Sequence, residues 1–398
     1  MKKHNKQSHA FPVAGRGEID PPESTEPLDE SAAPRESGSQ LAAHHPDIQR
    51  SIDDLIVRVS GGDGSDTDRK LVRDLVTAAL KLIPDGRDTG ELKLITTSTK
   101  ELRYAFRVFG EYPEPRKVSI FGSARTPPGH PDYDLAVEFG REVAESGWMV
   151  ITGAGGGIMQ AGHEGPGRDN SFGVAIRLPF EQETNEVIRN DEKLVNFRYF
   201  FTRKVTFLSQ SDAIVCFPGG FGTLDEAFEA LTLIQTGKAG LVPVVLLEGA
   251  GDAANPADET FWGGFDSYLR EQLLARGMIH AEDLDLFYRA ESSADAVSHI
   301  TRFYSTYHSF RYVRDDLILR LRRPLPSGAA DALTDEFPSL LASGRIRETE
   351  PFPQEHHEMD LPRITFTHTR RDFGVLRKMI DRINELGEQA HGDGGYVR

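Results

Sequence analysis

The sequence predicts an α/β protein whose main domain is a doubly wound parallel sheet with helices on both faces. Short apolar runs alternate with helical patterns through the middle of the 398-residue chain, which is typical of βαβ units. Glycine-rich turns follow three of these runs, and parallel sheets bind ligands at the carboxyl ends of their strands. Hydrophobic residues make up 38% of the chain, enough for a sizeable core.

The chain divides by composition into four parts. Residues 1–46 are rich in Pro, Ser, Glu, Asp and Gly, and we expect a disordered tail there. Residues 47–113 carry apolar side chains at helical spacing and are predicted to form a helical extension. Residues 114–310 hold the alternating pattern and form the predicted catalytic domain. Residues 311–398 are a C-terminal extension that prolines interrupt and that ends in an amphipathic helix.

The elements of the main domain follow from the spacing of apolar residues. Strands are predicted at 118–121, 148–151, 172–176, 213–217 and 242–247. Helices are predicted at 133–146, 158–163, 202–210, 223–235, 261–275 and 293–304. Outside this domain the clearest elements are a helix at 97–108, a strand at 364–367 and a helix at 373–386.

Composition excludes several classes of protein. A formal net charge of −16 argues against a general nucleic-acid binder. The single cysteine, Cys216, lies in a predicted strand, so no intrachain disulfide can form and a buried core residue is expected. No apolar stretch follows Met1–His4, and none elsewhere is long enough to span a membrane. We therefore expect a cytoplasmic protein with neither a membrane nor a nucleic acid as its partner.

The turn Pro218–Glu226 joins a predicted strand to a predicted helix. Glycines let backbone N–H groups approach an anion, and the start of a helix favours negative charge. A second turn, 152–157, has the same form, and Ser123 ends the first strand. Plain turn geometry is the alternative role for these glycines. The candidate phosphate-binding residues are Ser123, Gly156, Gly157, Gly219, Gly220, Gly222 and Thr223.

Two common phosphate motifs are absent from these turns. The dinucleotide fingerprint G-x-G-x-x-G fails because its third glycine would fall at Ile158 or Gln160. The P-loop G-x-x-x-x-G-K-[ST] fails because Ala239 follows Gly237-Lys238. A bound nicotinamide cofactor and a nucleoside-triphosphatase site are both disfavoured.

Four motifs, in this order, resemble the LOG family of cytokinin-activating phosphoribohydrolases and bacterial nucleotide nucleosidases, many once labelled lysine decarboxylases. They are Gly122-Ser123, the loop 152–162 with Met159, Phe201-Thr202-Arg203-Lys204 and Pro218–Glu226. The P-G-G-x-G-T-x-x-E motif matches in full, whereas the family's M-H-x-R-K keeps only the basic pair here. The resemblance covers about residues 116–305, and the preceding helices resemble the longer bacterial branch.

The resemblance implies a Rossmann-like fold and hydrolysis of the N-glycosidic bond of a nucleoside 5′-monophosphate, AMP or a related one. The products are a free base and ribose 5-phosphate, and no cofactor or metal is expected. Such bonds break through an oxocarbenium-like sugar cation. The resemblance assigns catalysis to Arg203 and Glu226, and it implies a homo-oligomer, a dimer or larger.

Alternatives remain for each of these residues. Glu226 follows Thr223 by three positions, which is also the spacing of a capping box. Arg203 has the alternative of a surface arginine, and Lys204 either reaches the phosphate or is a solvated charge. Met159 either lines the base pocket or only packs.

Two other functions stay open beside the nucleosidase. One is a non-catalytic nucleotide or cofactor carrier of the same fold. The other is an amino-acid decarboxylase, which would need pyridoxal phosphate on a lysine. Neither Lys204 nor Lys238 has a recognisable setting for that cofactor.

Overall fold

The computed structural model describes residues 42–61, 64–177, 184–249, 260–355 and 357–391. Most of the expected disordered tail, residues 1–41, lies outside these ranges. The described residues up to Lys100 belong to one compact unit and those from Glu101 belong to a second, larger one. The domain boundaries given above stay a prediction.

The N-terminal unit contains helices α1 (Pro46–Ser60), α2 (Asp66–Lys81) and the first half of α3 (Thr89–Gly110). Ser65 caps α2 in a reciprocal capping box with Asp68. A hydrogen bond of 3.0 Å from Gln49 Nε2 to Thr77 Oγ1 joins α1 to α2. No helix among the described residues is both long and apolar enough to cross a membrane.

The larger unit is built on a seven-stranded parallel sheet with the order β4-β3-β2-β1-β5-β6-β7. Its strands are β1 (Lys117–Phe121), β2 (Met149–Thr152), β3 (Ser171–Ile176), β4 (Leu194–Phe197), β5 (Ala213–Cys216), β6 (Val244–Leu246) and β7 (Tyr288–Arg289). The accompanying helices are α4 (Pro131–Glu145), α5 (Ile158–Glu164), α6 (Phe200–Gln210), α7 (Phe221–Gln235), α8 (Phe261–Tyr268) and α9 (Ser293–Phe303). The predicted doubly wound α/β fold, with helices on both sides of the sheet, is confirmed.

The central strands are buried along their whole length because helices cover both faces of the sheet. This explains why they read as continuous apolar runs in the sequence. Cys216 is fully buried at the end of β5, and burial raises the pKa of its thiol to about 12. It is the core residue that the sequence predicts.

A second, antiparallel sheet occupies the C-terminal part of the chain, where the sequence predicts only one strand. Its strands are β8 (Tyr307–Val313), β9 (Asp316–Leu321), β10 (Leu341–Glu348) and β11 (Arg363–His368), in the spatial order β10-β11-β9-β8. The short helix α10 (Ala329–Glu336) lies between β9 and β10 in the chain, and helix α11 (Phe373–His391) follows β11. The predicted strand at 364–367 is confirmed as β11, and the other three strands of this sheet were not predicted.

Buried arginines help to explain why most of that sheet is not visible in the sequence pattern. Arg320 on β9 and Arg363 on β11 are both buried, and each lies 2.8 Å from an oxygen of buried Glu355. Charged residues normally mark a solvent-facing position, so these strands do not show the alternation of a half-buried sheet. The charges are tolerated because they are paired.

The parallel sheet places the three glycine-containing turns side by side. Strand β1 lies between β2 and β5, and each of the three is followed by one of the turns. Strands β1 to β4 follow one another towards one edge of the sheet, and strands β5 to β7 follow one another towards the other edge. The crevice at such a reversal of strand order is where open α/β sheets bind ligands.

Candidate active site

The three turns meet at Ser123. Its backbone N–H donates to the carbonyl of Pro218 at 3.0 Å, and its own carbonyl accepts from the N–H of Ile158 at 3.0 Å. The Ser123 hydroxyl accepts from the N–H of Arg125 at 3.1 Å, and the Arg125 side chain is exposed. Ser123 therefore ties the turn after β1 to both glycine-rich turns.

Two of the candidate glycines are required by this close packing. A Cβ on Gly157, which has a φ of +62°, would collide with the carbonyl of Ser123. A Cβ on Gly219 would overlap the Thr223 hydroxyl and lie 3.0 Å from the Ser123 nitrogen. Their role in turn geometry is therefore real, whatever they bind.

The other glycines of the Pro218 turn have no such steric reason. A Cβ on Gly220 or Gly222 would meet nothing within 4 Å among the described residues. Gly156 has only the Ala124 carbonyl at 3.7 Å. The space beside Gly220 and Gly222 is therefore open to a ligand.

Helix α7 begins in this open space without a side-chain cap. Gly220 is its N-cap residue, and a glycine has no side chain that could accept a hydrogen bond from the first turn. Thr223 is the third residue of the helix and Glu226 the sixth, so the capping-box alternative for Glu226 is wrong. Uncapped N–H groups at a helix start are available to an anion.

Glu226 lies in the second turn of α7, and its side chain is largely buried. Its side chain is 9% exposed, and its Oε2 atom has no hydrogen-bond partner among the described residues. Burial raises the pKa of the carboxyl to about 7, although the charges of Lys204 and Arg203 act in the opposite direction. A carboxyl poised near neutral pH in a crevice is a recognised mark of a functional site.

Arg203 lies opposite, on α6, and is not the surface residue of the alternative interpretation. Its Nε donates to the carbonyl of Val174 at 2.8 Å, and its guanidinium lies 5.2 Å from the centre of the Phe207 ring. Burial lowers the pKa of the guanidinium, and the nearby charge of Glu226 opposes that shift. The two predicted catalytic groups therefore interact electrostatically in the fold.

Met159 joins Arg203 above the second glycine-rich turn. A Cβ added to Gly153 would overlap the Arg203 guanidinium and would lie 2.6 Å from the sulfur of Met159. Gly153 therefore allows both side chains to lie against the loop. Sequence reasoning did not select Gly153, although its place at the end of β2 is a usable signal.

Lys204 forms ion pairs with carboxylates in this structure. Its Nζ contacts Asp225 at 2.8 Å, Glu226 at 3.8 Å and also Glu229. Burial opposes the charge on Lys204, but its hydrogen bonds to Asp225 and Glu229 outweigh that effect and raise its pKa. The contact of Lys204 with a phosphate stays a prediction, and Glu229 is a residue that sequence reasoning missed.

Glu101, on α3, contributes to the site from outside the recognised motifs. Its carboxylate accepts from the N–H of Arg198 at 2.7 Å and from the Thr202 hydroxyl at 2.6 Å. These bonds hold the first turn of α6, next to Arg203. Across the described residues, no group of three or more His, Cys, Asp or Glu side chains could hold a metal ion.

Comparisons with known proteins address the family of this chain. A family model described as "Possible lysine decarboxylase" matches residues 155–300. The cytokinin riboside 5′-monophosphate phosphoribohydrolase of Mycobacterium tuberculosis is 31% identical over 104 residues, which are 25% of this chain and 54% of that protein. The enzyme of the same name, LOG, from Oryza sativa subsp. japonica is 32% identical over 109 residues, which are 26% of this chain and 43% of that protein. The chain thus spans about half the length of these curated relatives.

Among solved structures, the molybdenum cofactor binding protein from the phototrophic bacterium Rippkaea orientalis is similar at 17% identity and a TM-score of 0.34. The superposition covers 47% of this chain and 96% of that one. The family match contains Arg203, Lys204 and the whole turn Pro218–Glu226, the residues that the fold brings together. This chain belongs to the LOG family.

Proposed function

We propose that this protein hydrolyses the N-glycosidic bond of a nucleoside 5′-monophosphate, AMP or a close relative, in the cytoplasm. The observation that carries the proposal is the facing pair of Arg203 and Glu226 beside two glycine-rich turns, with one Glu226 oxygen free of hydrogen bonds among the described residues. The names of the curated relatives support this class of reaction.

Binding begins with the phosphate. The uncapped start of α7 at Gly220–Gly222 offers N–H groups and open space, and Thr223 adds a hydroxyl in the same turn. Gly156 and Gly157 would add N–H groups from the second turn, which Ser123 ties to the Pro218 turn. Holding the 5′-phosphate there would place the ribose towards Glu226, one helical turn further along α7.

The chemical step then needs a base that works near neutral pH. Glu226, with a pKa of about 7, can accept a proton from the attacking water as the bond between C1′ and the base nitrogen breaks. In its ionised form it also stabilises the positive charge that develops on the ribose. Arg203 donates hydrogen bonds towards the departing base and offsets the charge that it acquires.

A carrier that binds a nucleotide or cofactor without turnover is the competing function. It would use the same open turn but would not need a carboxyl with a raised pKa beside an arginine. Decarboxylation fits less well, because Lys204, one of the two lysines considered for pyridoxal phosphate, is bound to carboxylates.

We also infer that the active form is a homo-oligomer. Phe221 is 94% exposed at the start of α7, and Phe200 and Phe201 are exposed on α6 at 56% and 48%. Large apolar side chains grouped around a site are typical of surfaces that another chain covers. Size-exclusion chromatography with light scattering tests this, and a monomer at micromolar concentration would contradict it.

One experiment separates the proposed activity from the competing ones. The purified protein is incubated with each of the common nucleoside 5′-monophosphates, and free base and ribose 5-phosphate are measured by chromatography. We expect both products in equal amounts from at least one substrate without added cofactor. Saturable binding of the same nucleotides with no release of base would support the carrier instead.

A further inference from the structure

We propose that Asn185 is a positioning residue for this site: it turns the peptide groups of the loop 153–157 so that their N–H groups face the substrate phosphate. The inference rests on the proposed function. It concerns the site already described and adds a residue from outside all of the recognised motifs.

Asn185 binds the back of the loop by two hydrogen bonds. Its backbone N–H donates to the carbonyl of Ala154 at 2.9 Å, and its side-chain Nδ2 donates to the carbonyl of Gly155 at 3.0 Å. In a trans peptide the carbonyl and the following N–H point in opposite directions. Fixing these two carbonyls on Asn185 therefore points the N–H groups of Gly155 and Gly156 away from it.

The loop needs this support because its backbone is strained. Ala154 has a φ of +61°, in the left-handed region that non-glycine residues rarely adopt. The Ala154 N–H donates to the hydroxyl of Thr152 at 3.0 Å, and its carbonyl is the one bound by Asn185. Both polar groups of the strained residue are thus held from within the protein.

A buried histidine holds Asn185 in turn. His163 is fully buried, and its Nδ1 lies 3.2 Å from Asn185 Nδ2, while its Nε2 lies 3.0 Å from the carbonyl of Phe172. A carbonyl can only accept, so Nε2 carries the proton and Nδ1 accepts from Asn185. Burial lowers the pKa of His163 to about 4, which keeps this neutral tautomer at physiological pH.

Thr152 completes the network at the end of β2. Its hydroxyl donates to the carbonyl of Met159 at 3.1 Å and lies 3.0 Å from His163 Nε2. The network therefore spans the loop from the end of β2 to the start of α5. All of its side chains are buried, so none of them is expected to touch the substrate.

The test compares affinities in the full-length protein. Titration calorimetry measures ribose 5-phosphate, inorganic phosphate and adenine with the wild type, Asn185→Ala and Asn185→Ser. Loss of a buried hydrogen bond that orients the loop is expected to weaken both phosphate ligands about tenfold. Adenine carries no phosphate, so its affinity should change less than twofold, and with the substrate KM should rise far more than kcat falls.

Asn384→Ala is the matched control. Asn384 is equally buried and also makes hydrogen bonds to backbone, accepting from Thr306 and Tyr307 and donating to Phe303, but it lies in the C-terminal part of the chain. It should lower the melting temperature as much as Asn185→Ala does and leave the affinity for ribose 5-phosphate unchanged. Asn185→Ser guards against misfolding of the alanine variant, because it keeps a small polar side chain.

The outcomes separate the inference from the function on which it rests. Wild-type affinity for both phosphate ligands in the folded Asn185 variants would overturn the inference, as would an equal loss of affinity for adenine. Phosphate binding by the wild type without release of base would overturn only the proposed function, and the comparison of affinities would still decide the role of Asn185. A wild type that binds no phosphate ligand would overturn both.

Discussion

The ammonium group of Lys204 lies 3.8 Å from the carboxylate of Glu226, and Asp225 and Glu229 hold it there. One lysine thus contacts three carboxylates, and among these three only Glu226 is almost completely buried. The arrangement balances two opposing effects on Glu226: burial disfavours its charge, and Lys204 and Arg203 favour it. The site gains a carboxyl that ionises near neutral pH.

Replacing Lys204 is expected to move the pH dependence of the reaction. Because Lys204 favours the ionised form of Glu226, Lys204→Met should raise the pKa of Glu226 above its value of about 7. If ionised Glu226 is the active form, the acid limb of kcat/KM moves to higher pH by roughly one unit. The measurement is a pH–rate profile with the best nucleotide substrate.

Lys378→Met is the control for this profile, since Lys378 pairs with Asp285 at 2.7 Å outside the site. Its acid limb should coincide with that of the wild type. An unshifted limb in Lys204→Met would show that Lys204 does not tune Glu226.

Removing either catalytic group should abolish turnover and preserve the fold. We expect Glu226→Gln and Arg203→Ala each to reduce the release of base by about 10²- to 10³-fold, the usual loss for a general base or a charge-stabilising donor. Glu142→Gln serves as the control, because Glu142 bonds the Ser293 hydroxyl away from the site. Wild-type turnover in both site variants would refute the assignment.

The same glutamate should cost the protein stability at neutral and alkaline pH. Its pKa rises from 4.5 to about 7 on folding, so the folded state disfavours the charged form. The contribution of this group to the free energy of unfolding is highest below pH 4.5, falls as pH rises towards about 7 and is constant above that. Glu226→Gln removes this loss, which is on the order of 3 kcal/mol at most.

Thermal unfolding at a series of pH values tests this expectation. The melting temperature of Glu226→Gln should exceed that of the wild type at pH 8, and the difference should shrink at pH 5. A constant difference across the range would mean that the pKa of Glu226 does not change on folding.

Two neighbouring glycines should respond to alanine in opposite ways. Gly219→Ala collides with Thr223 and crowds Ser123, so the melting temperature should fall by several degrees. The added Cβ of Gly220→Ala meets no described residue within 4 Å and keeps an ordinary φ of −85°, so stability should hold. If the phosphate occupies the open space there, Gly220→Ala raises KM about tenfold. An unchanged KM would place the phosphate elsewhere.

Sequence patterning predicted the parallel sheet because its central strands are short, continuous apolar runs that end in glycine turns. It missed β4, whose Asn196 is exposed and breaks the run, and β7, which has only two residues. Of the antiparallel sheet it predicted only β11, and it missed β9, where buried Arg320 is tolerated because it pairs with Glu355. The pattern thus fails where an exposed residue, a very short strand or a paired buried charge breaks the apolar run.

The sequence by itself determined the fold class and the three turns, because local periodicity and short motifs encode strands, turns and helix starts, and its motifs made Arg203 and Glu226 the catalytic candidates. Only the tertiary structure decided the pKa shifts of those residues and the contacts that position them. Lys204 meets Glu229 across 25 residues of chain, and Asn185 meets Gly155 across 30. The physical reason is that desolvation and ion pairing depend on which side chains lie close together in space, and no local pattern in the sequence specifies those neighbours.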